Sequence, residues 1–101
     1  MLAKNPLDVP SGKKLSKEEI AQALRLAIMA EYDAINLYLQ LAEAIEDEKI
    51  KAVFKDVAQE EKVHVGEFMS LLEHLDPEMR ESIEEGFDEV KDHTGIDPRE
   101  K

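Results

Sequence analysis

From Ile20 onward the apolar residues recur in steps of four and three: Ile20, Leu24, Ala27, Ala34, Tyr38, Leu41 and Ile45. The rhythm is unbroken once Glu31 is counted between Ala27 and Ala34, so an acidic residue holds a place on an otherwise apolar helical seam. Ile28, Ile35 and Ala42 flank the seam and widen it to the face expected of a bundle helix. A second helix repeats the pattern as Ile50, Phe54, Val57, Glu61, His64, Phe68, Leu71 and Leu75, with Glu61 and His64 on its seam. Between the two, Glu46, Asp47 and Glu48 offer neither Gly nor Pro, and the turn is read from the break in phase. An antiparallel hairpin is the natural connection.

Ser16-Lys17-Glu18-Glu19 has the form of a capping box, in which the Ser side chain and the Glu three residues on satisfy free amides at a helix start. Asp76-Pro77 places an N-cap before a proline at the first helical position. It predicts a third helix to about Lys91, with Gly86 weakening its middle and Gly95 near its end. Met79, Ile83, Phe87 and Val90 make one narrow apolar stripe on that helix, suited to lying on a partner surface. Residues 1–15 carry Pro6, Pro10 and Gly12 without periodicity and read as an extended arm. The expected organisation is an arm at 1–15, a helical domain at 16–96 and a tail at 97–101. The fold class is all-α: an antiparallel two-helix hairpin plus a short C-terminal helix.

A chain of 101 residues is one domain, and a compact domain of this size buries only roughly two-thirds of its unfolded surface. With 13 Lys and Arg against 24 Asp and Glu, its net charge of -11 repels nucleic acid and anionic membranes and attracts cations. There is no Cys, which excludes disulfides, thiolate zinc sites, iron–sulfur clusters and rubredoxin-type iron within the chain. A metal here is held by carboxylate and imidazole. No apolar run approaches the roughly 18 residues of a membrane span, and Met1 to Ser16 lacks the apolar centre of a secretory signal, so the expected location is cytoplasmic.

The seam's three polar residues carry the chemistry. Glu31 and Glu61 are equally distant from Glu46 at the turn, so they stand level across the hairpin, roughly 22 Å from it at 1.5 Å per residue. His64 lies one turn on from Glu61 and shares its face. Two helices cannot enclose such broad seams, whereas a two-fold dimer of hairpins makes a four-helix bundle with two Glu31, two Glu61 and two His64 near its axis. That set is the known arrangement of ferritin-like di-iron bundles. Carboxylates with one imidazole per ion suit iron, two ions per dimer interface, and oxidation of Fe(II) is the implied reaction.

The spacing of Glu31 and Glu61-Lys62-Val63-His64 on a hairpin resembles the encapsulated ferritins. The likeness runs through residues 30–38 and 60–64 and more loosely from Ser16 to about Ile96. The resemblance implies a dimer with a ferroxidase centre at its interface and assembly of dimers into a ring, a decamer. It also implies confinement with an encapsulin shell protein inside a nanocompartment that stores oxidised iron. Residues 86–91 are similar to the version fused to the shell protein in some archaea, which implies an excised domain. In two respects the chain departs from the pattern. It has Ala30 and Asp33 where members often carry further acids, and no apolar cargo peptide is visible in 96–101.

Other readings compete at single residues. A lone His on an apolar face is usually a satisfied core histidine, and a lone seam Glu often fixes helix register; joint occurrence at one level favours metal. Tyr38 is equally a core residue or a hydrogen-bond donor to a ligand carboxylate. Glu60 and Glu67 read as solvated helix face, His74 and His93 as helix-end residues, and Met29, Met69 and Met79 as packing. The alternative functions are a helical oligomerisation or cargo module and a rubrerythrin-like peroxidase. The latter normally needs a nearby electron-transfer iron, which the missing Cys argues against.

Overall fold

In a computed structural model that describes residues 12–100, the chain forms three helices: α1 (Lys17–Ala44), α2 (Glu48–Leu75) and α3 (Pro77–Thr94). The expected arm at 1–15 lies mostly outside the described residues, as does Lys101 of the tail. Each helix starts on a side-chain cap. The Glu19 N–H donates to Ser16 Oγ at 3.2 Å and the Ser16 N–H donates to Glu19 Oε1 at 3.1 Å, which completes the capping box. At the turn, Asp47 Oδ1 accepts from Lys49 N at 2.9 Å and Ile50 N at 3.3 Å. Chain reversal thus rests on an Asp N-cap, a signal the phase break alone did not single out. Asp76 caps α3 through the Met79 N–H, with Pro77 in the first turn, as predicted. Helix α3 continues past Lys91 to Thr94, where Gly95 takes the left-handed conformation (φ 77°).

The hairpin closes along a line that differs from the expected seam. Ala21, Ile28, Ile35 and Ala42 are the buried residues of α1, and Ala58 and Leu72 those of α2, with half-buried Val65 midway between them. All recur every seven residues, close to two full helical turns, which is the spacing of a single contact line between two helices. The residues taken as flanking therefore form the helix–helix contact, and the four-three seam lies to one side of it. Its members Leu41 and Leu71 remain 39% and 54% exposed. A four-three seam is the face a helix turns to the centre of a larger bundle, so one hairpin alone leaves it open.

Among the described residues α3 packs beside α2 and buries none of its own side chains. Met79 reaches the core cluster of Ala21, Ile28 and Leu72, while the rest of the helix projects from the hairpin. The resulting shape is flat, 47 × 45 × 20 Å, with a radius of gyration of 17.1 Å against about 13 Å for a compact chain of this length.

Two tests follow from the local chemistry. The Glu19 carboxyl is held well below its ordinary 4.5, at about 2, chiefly by the Lys13 ammonium at 2.8 Å and then by the Ser16 amide and hydroxyl. Because the folded value is the lower one, this contribution is complete above about pH 4.5 and vanishes as pH falls toward 2. Circular dichroism should show the stability gap between wild type and Glu19→Gln closing across that window; a gap independent of pH contradicts the assignment. Gly86 sits mid-helix with open space where a Cβ would be, so Gly86→Ala should raise stability by about 0.5–1 kcal/mol in thermal melts.

Candidate metal centre

Glu31 enters the open face from α1, and Glu61 and His64 enter it from α2. Their levels follow from the hairpin register, and the structure brings all three together. His64 Nδ1 lies 3.7 Å from Glu31 Oε2 and 3.5 Å from Glu61 Oε2, and one ligand atom from each residue falls within 4.8 Å of the other two. Among the described residues this is the one convergence of three metal-ligating side chains.

These distances exceed a hydrogen bond and fit a small cation. Around an ion with bonds of about 2.1 Å, neighbouring ligand atoms stand about 3 Å apart and opposed ones about 4 Å. The burial is graded, with both carboxylates 19% exposed and the imidazole 45% exposed. Glu31 Oε2 is buried without a hydrogen-bond partner. A buried carboxylate oxygen in that condition is costly unless a cation or a proton meets it. Two carboxylates and an imidazole are hard and intermediate donors, the kind that suit iron. The residues present therefore fit a metal of that class.

The layers on either side are apolar. One heptad from Glu31 and Glu61 toward the turn stand Tyr38 and Phe54, whose rings meet with centroids 6.1 Å apart at 60°. One heptad the other way stand Leu24 and Phe68, both packed on the core cluster. The acids thus occupy a single polar layer between two apolar ones, which seven-residue spacing from Glu31 and Glu61 could have disclosed. The Tyr38 hydroxyl makes no hydrogen bond to either carboxylate, and its ring serves the aromatic layer instead. Glu60, Glu67, His74 and His93 are exposed and join no cluster, whereas Asp33 is half-buried and not part of the trio. No helix among the described residues is long and apolar enough to cross a membrane.

Metal-free protein should carry the repulsion of the facing carboxylates. Divalent cation at a hundred times its dissociation constant should then stabilise the fold by about 2.7 kcal/mol. Thermal melts with and without Fe(II) or Zn(II) check this, and Glu31→Ala should abolish the increment. An equal increment in that variant removes Glu31 from the site.

The sequence model of the rubrerythrin family matches residues 22–96. A ferritin-like–encapsulin shell fusion protein of Pyrococcus furiosus is 54% identical over 97 residues, covering 96% of this chain and 28% of the relative, so the chain spans little over a quarter of that protein. An encapsulin nanocompartment cargo protein of Myxococcus xanthus is 36% identical over 87 residues, covering 86% of this chain and 67% of the relative. Among solved structures, the encapsulated ferritin domain from Pyrococcus furiosus superposes with a TM-score of 0.86 at 52% identity, over 96% of this chain and 99% of that one.

Proposed function

The chain belongs to the encapsulated ferritins of the rubrerythrin family, and from that premise we propose that it is a ferroxidase whose centre forms where two hairpins join by their open faces. The observation that carries the reading is the convergence of Glu31, Glu61 and His64 at 3.5–3.7 Å with a buried oxygen of Glu31 lacking a partner.

Pairing two copies through the seam places four carboxylates and two imidazoles in one layer, enough for two iron ions. Bound iron supplies the redox chemistry, each Fe(II) losing one electron to dioxygen or peroxide. The protein's part is to gather and hold the ions. Glu61 is suited to bridging two ions, Glu31 to a terminal or bridging place, and His64 to a terminal nitrogen ligand. The Tyr38–Phe54 layer and its Leu24–Phe68 counterpart exclude water above and below, which strengthens the carboxylates' hold on a cation. Pairing also covers the seam that one hairpin leaves exposed.

The relatives named for an encapsulin shell fusion and an encapsulin cargo protein support a place for this chain inside an encapsulin nanocompartment, where oxidised iron is stored. Assembly of dimers into a decameric ring belongs to the same reading. The convergence of Glu31, Glu61 and His64 from two helices on one point, with a carboxylate oxygen buried there, favours this over a purely structural module.

Addition of Fe(II) in air should produce a ferric absorbance whose initial rate falls at least tenfold in Glu31→Ala and in His64→Ala, as expected when a metal ligand is lost. Circular dichroism and size-exclusion chromatography on both variants separate lost chemistry from lost folding. Rates equal to wild type in well-folded variants would refute the proposal.

A further inference from the structure

Beyond α3 the chain turns back on itself. Gly95 ends the helix with its N–H donating to the Lys91 carbonyl at 2.7 Å. Asp97 Oδ1 accepts the Arg99 N–H at 2.9 Å and the Asp97 carbonyl accepts the Glu100 N–H at 3.2 Å, closing a turn around Pro98. That turn aims the Arg99 side chain back along the helix. Its Nη1 donates to Glu84 Oε2 and its Nη2 to Asp88 Oδ1, both at 2.8 Å. Its Nε and Nη2 also donate to the Asp97 carboxylate at 2.8 and 3.0 Å, and the guanidinium lies 5.4 Å from the centre of the Phe87 ring. Lys91 pairs with Asp97 at 3.8 Å and with Glu100.

Glu84, Phe87, Asp88 and Lys91 are spaced three, one and three, a single face of α3, and every one of them is engaged by residues 97–100. The Asp97 side chain is only 5% exposed. By contrast, α3 buries no residue of its own and reaches the hairpin core through Met79. We infer that residues 95–100 are a strap that holds the distal half of α3 helical, a task the hairpin cannot perform from the other end.

An isolated exposed ion pair stabilises little. Here one planar guanidinium serves three carboxylates in a geometry fixed by the turn and also covers an aromatic face, which is where such contacts reinforce one another. The strap also alters the apolar stripe of α3. Phe87 is covered by the chain's own Arg99 and Met79 by the hairpin core, so the part of the stripe left open is Ile83 and Val90.

Hydrogen exchange on the full chain tests the strap, comparing wild type with Arg99→Ala and Arg99→Lys. Amides of residues 88–95 should exchange about three- to tenfold faster in Arg99→Ala, and Arg99→Lys should fall between, keeping the charge without the fork. Exchange in α1 and α2 should stay unchanged. Salt at 1 M, where screening acts within about 3 Å, should narrow the gap between wild type and Arg99→Ala. Equal exchange of 88–95 in wild type and Arg99→Ala overturns the inference. So does acceleration spread evenly over all three helices, which would mark a loss of global stability instead of a local strap.

Discussion

Glu31 and Glu61 bring two carboxylates together across an apolar hairpin, and much of this structure follows from the need to give that pair a partner. Glu31 and Glu61 each expose 19% of their side chains, one of their oxygens is buried without a partner, and the layers before and after them are apolar. His64 provides one neighbour at 3.5–3.7 Å. Its ring nitrogen completes a donor set of two carboxylates and one imidazole. A cation is the simplest partner for this donor set, and a second hairpin is the simplest cover.

The same geometry links stability to assembly. Within one hairpin the contact line of Ala21, Ile28, Ile35 and Ala42 against Ala58 and Leu72 makes a small core, because half of its six buried residues are alanines and it is only one row wide on each helix. The larger seam residues, among them Leu41, Ile50 and Leu71, stay 39–54% exposed. At about 25 cal/mol per Å² of apolar surface, covering that seam is the largest hydrophobic gain still open to the chain. The apolar face and the polar layer within it therefore call for the same partner surface.

Much of this was legible in the sequence. The capping box at Ser16, the Asp76-Pro77 start and the level of Glu31 with Glu61 and His64 all follow from local rules that tertiary structure does not overturn. Which apolar row does which job was not legible. The seven-residue row and the four-three seam overlap on the same helix, and only packing decides that the former closes the hairpin while the latter stays free. The Asp47 cap was hidden among flanking glutamates that look equally solvated. By spacing Tyr38 was equally a core residue or a donor to a ligand carboxylate, and its ring contact with Phe54 shows the packing role. The strap was missed because Asp97-Pro98-Arg99-Glu100 is too short to show a period; its meaning lies in the match to Glu84, Phe87, Asp88 and Lys91 on a neighbouring helix.

The most direct measurement is anomalous scattering at the iron edge from crystals grown with Fe(II). The expected result is two iron peaks at each interface between paired hairpins, each within bonding distance of Glu31, Glu61 and His64 side chains. Iron elsewhere on the chain, or an interface that leaves these three side chains facing bulk water, would contradict the account.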